Sequence, residues 1–223
     1  MPEKGSTIML QYRIQPVTPY QQNCSVIWCD ETGSAAVIDP GGDIAAITGL
    51  LDGLDIKVEK IILTHGHLDH VGGTAELKTA LEVPVIGPHQ GDGFWLAALA
   101  DQARMMNFAP VPPFSPDRWL NDGDQIALGK LTLEVLHCPG HTPGHVVLFE
   151  KHSKMAFVGD VLFAGSIGRT DFPRGDHASL IASIREKLFP LGDDITFVPG
   201  HGPTSTFGEE RRTNPFVSDS RFG

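Results

Sequence analysis

Cysteine, positive charge and long apolar runs are all scarce in this chain of 223 residues. Its three cysteines are irregularly spaced and odd in number, so they do not form a disulfide framework and they suit a reducing compartment. We expect Cys24, Cys29 and Cys138 to be small buried apolar groups. Cys138 has a second interpretation, as a soft metal ligand, because it lies three residues before His141.

The charge balance excludes one class of partner. The chain has 17 Lys and Arg residues against 27 Asp and Glu residues, a net charge of −10, whereas nucleic-acid binding needs a basic face. No apolar run approaches the roughly 18 residues of a membrane-spanning helix, and residues 1–5 do not resemble a secretory signal. We therefore expect no nucleic-acid partner, no membrane partner and a cytoplasmic location, and the oligomeric state stays open.

Short apolar or alternating runs are frequent, and they predict strands. The predicted strands are residues 8–14, 25–30, 35–39, 58–63, 83–86, 125–128, 131–137, 146–150, 155–159 and 195–198. The predicted helices are residues 43–51, with Asp43 as N-cap, 69–81, 91–107 and 178–188. This order favours the α/β class and one domain over residues 1–223, with two similar halves divided near residue 130. Two sheets packed face to face between helices, an αβ/βα four-layer sandwich, fit better than a doubly wound parallel sheet.

The strongest motif, His65-x-His67-x-Asp69-His70, directly follows the strand predicted at residues 58–63. Residues i and i+2 of an extended chain project to the same side, so His65 and His67 can converge on one metal ion. We expect Gly66 between them to let the backbone approach that ion. The chain then turns into a helix, which directs Asp69 and His70 towards a second ion.

Three further candidate ligands follow later predicted strands. His141 lies in a turn rich in proline and glycine, Asp160 follows residues 155–159, and His201 lies between two glycines. Imidazoles and carboxylates in this number suit zinc, and also iron or manganese. The other histidines are not expected to be ligands: His89, His152 and His177 are expected to face solvent, and His137 and His145 either support the ligands or are structural.

The motifs resemble those of the metallo-β-lactamase superfamily. They are Thr64-His65-Gly66-His67-Leu68-Asp69-His70, Gly140-His141-Thr142-Pro143-Gly144-His145, Gly159-Asp160 and Pro199-Gly200-His201-Gly202-Pro203. Asn23-Cys24, Asp39-Pro40-Gly41-Gly42 and Asn214-Pro215-Phe216 also match, so the resemblance covers nearly the whole chain. Within the superfamily the chain looks most like glyoxalase II, the hydroxyacylglutathione hydrolases, in the short bacterial form without a C-terminal helical glutathione-binding domain.

The resemblance implies the metallo-β-lactamase fold and two divalent metal ions, with zinc expected first and iron or manganese as alternatives. The implied ligands are His65, His67 and His141 for one ion, and Asp69, His70 and His201 for the other, with Asp160 bridging the two. Asp39 is either an acceptor that supports a ligand or a turn-forming residue before Pro-Gly.

The implied activity is hydrolysis of a small-molecule thioester, S-lactoylglutathione, to lactate and glutathione. A hydroxide bridging the two ions would attack the carbonyl, with Asp69 and Asp160 as the catalytic residues that orient it. Arg169 matches a basic position that contacts glutathione, or else forms a structural ion pair. Asp171 stands where long glyoxalase II enzymes have a tyrosine, so glutathione recognition is weakened or rebuilt. The apolar side chains of residues 91–107 either form a wall of the pocket or belong to the core.

Other activities occur on the same fold. Glutathione persulfide dioxygenases carry a single iron on the counterparts of His65, His141 and Asp160 and share the Gly-Arg-Thr-Asp-Phe loop. Ile167 and residues 199–203 depart from their pattern and favour the hydrolase. A periplasmic β-lactamase is disfavoured because no secretory signal is found, a nuclease by the net charge, and an inactive metal-binding scaffold by the complete ligand set.

Overall fold

Runs of Val, Ile and Leu form the strands of two sheets, which pack against each other between helices. The computed structural model describes residues 8–222. Residues 1–5, on which the expectation about a secretory signal rests, lie outside this range. Among the described residues no helix has the length and apolar character needed to cross a membrane.

The first sheet has five strands in the order in which they occur along the chain. They are β1 (Leu10–Val17), β2 (Gln22–Cys29), β3 (Ser34–Ile38), β4 (Lys57–Ile62) and β5 (Val85–Ile86). The strands β1 to β3 pair antiparallel, and β3 to β5 pair parallel.

The second sheet has six strands, in the order β13-β12-β9-β8-β7-β6. The strands after β5 are β6 (Gln125–Leu128), β7 (Leu131–His137), β8 (Val146–Glu150), β9 (Met155–Gly159), β10 (Leu162–Phe163), β11 (Ser166–Ile167), β12 (Thr196–Pro199) and β13 (Ser205–Thr206). The pair β9 and β12 is parallel, and β10 with β11 forms a separate hairpin. The chain changes sheet between β5 and β6, ahead of residue 130, which lies in the turn between β6 and β7.

Helices cover the outer face of each sheet. They are α1 (Ile44–Asp52), α2 (Leu68–Val71), α3 (Thr74–Leu81), α4 (Gly93–Ala97), α5 (Leu99–Met106), α6 (His177–Ala182), α7 (Phe207–Thr213) and α8 (Asp219–Phe222). A π-helical segment, Ser183–Leu188, continues α6.

The apolar side chains form three layers that confirm the four-layer sandwich. Ile27 and Leu148 belong to the layer between the two sheets. Val26, one residue from Ile27, packs with the helices of the first half, and Val147 packs with the helices of the second half. Because neighbouring residues of a strand point to opposite faces, strands covered on both faces read as continuous apolar runs.

Three predicted helices differ in detail from the observed ones. The helix predicted at residues 69–81 is interrupted at Gly72 and Gly73, where the Gly73 N–H donates to the carbonyl oxygen of Pro40 (2.9 Å) and a Cβ on Gly72 would lie 2.7 Å from the carbonyl oxygen of Gly41. The helix predicted at residues 91–107 divides at Ala98. Asp43 precedes α1 as predicted, but its carboxylate accepts a hydrogen bond from the Thr18 N–H (2.7 Å) and does not cap the helix.

Candidate metal centre

The candidate ligands follow strand ends at one edge of the sandwich. In the first sheet the parallel strands β3 and β4 end side by side, and Asp39 and residues 65–70 follow them. In the second sheet Asp160 follows β9 and His201 follows the parallel β12, while His141 lies in the connection from β7 to β8 at the same edge. The two sheets therefore contribute to one centre.

Asn23 of β2 joins the two sheets beside this centre. Its side-chain amide donates to the carbonyl oxygens of Pro199 (3.0 Å) and Gly202 (2.9 Å), and its backbone N–H donates to that of Gly200 (2.7 Å). The loop that carries His201 is thus held by the first sheet, although it follows a strand of the second. This gives Asn23, which the resemblance included without a role, a structural function.

His65, His67 and His141 form the first group of candidate ligands. Nδ1 of His67 lies 3.2 Å from Nε2 of His65 and 3.0 Å from Nε2 of His141, and all three side chains are buried. Two nitrogens bound about 2.0–2.1 Å from one tetrahedral ion lie roughly 3.3 Å apart. The spacing therefore fits three ligands of one ion.

Asp69, His70 and His201 form the second group. Oδ2 of Asp69 lies 3.2 Å from Nε2 of His201 and 3.8 Å from Nε2 of His70. Ligand atoms of these three residues all lie within 4.8 Å of one another. Asp69 and His70 belong to α2, which begins at Leu68 as the sequence predicts, and both reach His201, while the ring of His70 also lies 4.1 Å from that of His65.

Asp160 lies between the two groups. One of its oxygens, Oδ2, is 3.5 Å from Nε2 of His141 and 3.8 Å from Nε2 of His201, and Oδ1 is 3.4 Å from Nε2 of His70. A Cβ on Gly200 would stand 2.1 Å from Oδ1 of Asp160. The glycine before His201 therefore leaves the space that this carboxylate occupies.

Each of three candidate ligands is oriented through its other ring nitrogen. Nδ1 of His141 is 2.7 Å from the carbonyl oxygen of Arg169, and Nδ1 of His201 is 3.1 Å from that of Tyr20. Nδ1 of His70 lies 2.9 Å from Oδ2 of Asp39. Donation at Nδ1 leaves Nε2 free to bind a cation at the centre, which is the common arrangement of metal-binding histidines.

Asp39 supports the centre from beneath the ligands. Its two oxygens accept hydrogen bonds from the Thr64 N–H (2.7 Å) and the Thr64 hydroxyl (2.5 Å), in addition to His70. Asp39 lies close enough to His65 and His70 to form a third metal-binding group. Because both its oxygens already accept hydrogen bonds, we interpret it as a residue that orients His70.

The electrostatics differ between the two groups. Burial lowers the pKa of His65 and His141, and lowers that of His67 to about 3, so these rings are neutral, the form that binds metal. In the second group burial also disfavours the charged imidazole, but the charges of Asp160 and Asp69 outweigh it and raise the pKa of His70 well above its usual value. The carboxylates of this group therefore stabilise positive charge.

The donor set fits a divalent cation. Nε2 of His70 and Oδ1 of Asp160 are buried and have no hydrogen-bond partner among residues 8–222. Buried polar atoms are nearly always satisfied, and a cation between these two atoms would satisfy both. Imidazole and carboxylate ligands suit zinc, iron and manganese alike. The cluster therefore binds divalent metal, while the ligand types leave the element open.

Asp92 supports the centre, and the sequence analysis did not identify it. Its buried carboxylate accepts hydrogen bonds from the N–H of Gly66 (2.8 Å), the hydroxyl of Thr142 (2.8 Å) and the N–H of Gly144 (2.5 Å). Burial raises its pKa to about 6, against the lowering effect of these three donors. It joins the loops that carry His67 and His141, and a lone acidic residue before a helix gives no sign of such distant partners.

Packing against α4 requires a glycine at position 66. A Cβ at this position would lie 2.7 Å from Cβ of Trp95 and 3.3 Å from the carbonyl oxygen of Asp92. The glycine therefore lets the loop between the two histidines lie against α4. The expectation that Gly66 also lets the backbone approach an ion stays a prediction.

The remaining histidines divide into supporting and peripheral residues. His145 is buried, its Nε2 accepts a hydrogen bond from the Asp160 N–H (3.0 Å), and its ring stacks on His65. His89 is half-buried and stacks on His137 at 4.2 Å between ring centroids, so its expected solvent exposure is wrong. The other two behave as predicted and are exposed: His152 and His177.

The cysteines take no part in the centre. All three are free and buried. Cys138 belongs to the apolar layer between the second sheet and its helices, and burial raises the pKa of its thiol to about 12. Its interpretation as a soft metal ligand has no support among the described residues.

A cavity of about 890 Å³ opens over the centre. It reaches the proposed metal ligands at its floor, and its walls are mainly apolar. One wall consists of Trp95, Met105 and Met106 of α4 and α5, and the facing wall contains the β10–β11 hairpin. The helical stretch at residues 91–107 therefore forms a wall of the pocket. Arg169 also lines the cavity.

Comparisons with known proteins agree with this geometry. The family model described as Metallo-beta-lactamase superfamily matches residues 17–201. The hydroxyacylglutathione hydrolase GloC of Haemophilus influenzae is 48% identical over 210 residues, which are 94% of this chain and 99% of that protein. The solved structure of the B3 metallo-beta-lactamase BLEG-1 has a TM-score of 0.85 at 36% identity and covers 93% of this chain and 99% of its own. The structure of TTHA1623 in a di-iron-bound form has a TM-score of 0.82 at 37% identity and covers 92% of this chain and 100% of its own.

Proposed function

This chain belongs to the metallo-beta-lactamase superfamily, and on that basis we propose that it is a metal-dependent thioester hydrolase of the glyoxalase II type. The proposed reaction is hydrolysis of S-lactoylglutathione to lactate and glutathione. The observation that carries the proposal is the position of Asp160 between two groups of ligand atoms, with a cavity above them. The 48% identical relative named hydroxyacylglutathione hydrolase supports the choice of substrate.

We propose that the centre holds two divalent ions. His65, His67 and His141 would hold one, Asp69, His70 and His201 the other, and Asp160 would contact both. Zinc is our first expectation, and iron is the main alternative because a 37% identical structure contains two irons. Free buried cysteines fit a reducing compartment, so we propose a cytoplasmic location.

Two bound cations would supply a nucleophile from water near neutral pH and would stabilise negative charge on the carbonyl oxygen. Asp69 lines the cavity and offers a carboxylate that can accept the proton of the attacking water. Asp160 fixes the positions of the two groups relative to each other. The leaving thiolate belongs to an acid with a pKa of about 8.5, so it departs without a strong proton donor, whereas an amide nitrogen would need one.

The decisive experiment is turnover of S-lactoylglutathione by the metal-loaded protein, compared with other thioesters, before and after treatment with a chelator. We expect turnover that the chelator abolishes and that added metal restores. Failure on every thioester, with metal bound, would refute the proposal.

Two competing activities are measured on the same preparation. Rapid oxygen uptake with glutathione persulfide would indicate a dioxygenase and would contradict the proposal. Hydrolysis of a β-lactam is the second candidate function, because a 36% identical structure is named a B3 metallo-beta-lactamase. A β-lactam turned over faster than any thioester would favour that function instead.

A further inference from the structure

Arg169 is the only lysine or arginine among the described residues that line the cavity. Its guanidinium forms two parallel hydrogen bonds with Asp171, from Nε to Oδ1 (2.7 Å) and from Nη2 to Oδ2 (2.6 Å). Cζ of Arg169 also lies 4.3 Å from the centre of the Phe172 ring. The guanidinium of Arg169 is therefore engaged by its own loop.

A glutathione thioester must compete for this guanidinium. Each edge of the planar guanidinium can bind one carboxylate in the bidentate manner, and Asp171 already occupies the Nε–Nη2 edge. Hydrogen bonding to Arg169 lowers the pKa of Asp171 to about 2, so the aspartate stays charged at any ordinary assay pH. A carboxylate of glutathione can bind the Nε–Nη2 edge only by displacing Asp171, and at the remaining Nη1–Nη2 edge it meets a guanidinium whose charge Asp171 already balances.

The displacement is feasible because the pair is exposed. The side chains of Arg169 and Asp171 are 63% and 65% exposed, and exposed ion pairs are weak. Substrate binding at Arg169 is then either an exchange of one carboxylate for another or binding to a charge that is already balanced, and both gain little affinity.

On the basis of the proposed function, we infer that Asp171 is a specificity-determining residue that competes with the substrate for Arg169. The consequence is a substrate class broader than glutathione thioesters. Thioesters of small uncharged thiols should be accepted nearly as well, because the cavity gives a charged thiol little advantage and its walls are mainly apolar.

The test compares S-lactoylglutathione with the lactoyl thioester of N-acetylcysteamine, an uncharged thiol. KM and kcat are measured for the metal-loaded wild type, Asp171→Asn, Arg169→Gln and the double variant. We expect Asp171→Asn to lower KM for the glutathione thioester about 2- to 5-fold, the range set by an exposed ion pair. Its kcat, and both constants for the uncharged thioester, should stay the same.

Two variants separate competition for Arg169 from electrostatic repulsion between the Asp171 carboxylate and the negatively charged substrate. With Arg169→Gln, KM for the glutathione thioester should rise. Adding Asp171→Asn to that variant should not lower this KM. Asp101→Asn is the matched control, because Asp101 is also exposed and paired with an arginine, Arg104, but does not line the cavity. It should leave KM unchanged.

Other outcomes overturn the inference. The carbonyl oxygen of Arg169 accepts a hydrogen bond from His141, so a purely structural role of Asp171 would change kcat for both thioesters. An unchanged KM of Asp171→Asn for the glutathione thioester would also contradict it, and so would a lower KM of the double variant than of Arg169→Gln. Wild-type turnover would still uphold the proposed function in either case. Absence of wild-type turnover on both thioesters would overturn the two proposals together.

Discussion

Replacing Asp92 by alanine removes the acceptor shared by the loops of His67 and His141. Three donors then lose their partner: the N–H of Gly66, the hydroxyl of Thr142 and the N–H of Gly144. A buried donor without a partner costs about 1–3 kcal/mol, or about 6 kcal/mol for three. Against this, the carboxylate is itself costly to bury, since its pKa rises from 3.8 to about 6, which corresponds to about 3 kcal/mol. The net loss in free energy of unfolding is about 3 kcal/mol.

Denaturant unfolding and metal titration check this estimate. For a chain of this size, 3 kcal/mol lowers Tm by roughly 6–12 °C. Because the two loops carry His67 and His141, we also expect metal affinity of the first group to fall at least tenfold. Thr142→Val is the control, since it removes one donor and should cost about 1 kcal/mol. An Asp92→Ala variant with wild-type stability and metal content would refute the reasoning.

Three further predictions concern the centre and its supports. Removal of metal by a chelator should lower Tm by about 5–10 °C relative to protein at 100 times Kd, because binding there stabilises by about 2.7 kcal/mol; an unchanged Tm would exclude metal binding to the folded protein. Asp160→Ala and His67→Ala should remove bound metal and activity while circular dichroism stays that of the wild type, and unfolding of both would make the site structural. Gly41→Ala should cost 2 kcal/mol or more in urea unfolding, on the order of other overpacked sites, because its Cβ would lie 1.6 Å from the carbonyl oxygen of Asp69; Gly49→Ala, with no atom within 4 Å of its Cβ, is the control.

The sequence predicts the candidate ligands well because they follow strands whose pattern is local. A strand ending at Ile62 places His65 and His67 on one side, and the helix that begins at Leu68 redirects Asp69. Both features are visible in a few consecutive residues. The layer arrangement follows from the same signal, since strands buried on both faces read as continuous apolar runs.

The supporting roles of Asp92 and Asn23 could not be predicted because their partners are distant in the chain. Asp92 contacts Gly66 and Gly144, and Asn23 contacts residues 199–202. Nothing in the local pattern distinguishes either residue from a polar residue at a helix start or on a strand. The break of the predicted helix at Gly72 and Gly73 has the same origin, because the Gly73 N–H bonds to the distant carbonyl oxygen of Pro40. Tertiary contact, and not local preference, decides these positions.

The contribution of both sheets to one centre has a consequence for the synthesis and the unfolding of the protein. Four of the proposed ligands lie within residues 65–70, but the last, His201, follows a strand near the end of the chain. If a second ion binds as proposed, it would not gain its full coordination during synthesis until the residues up to His201 have left the ribosome. Each of the two proposed ions would link side chains from both sheets. It would act as a non-covalent cross-link between residues 65–70 and the later ligands, so metal release should precede separation of the sheets.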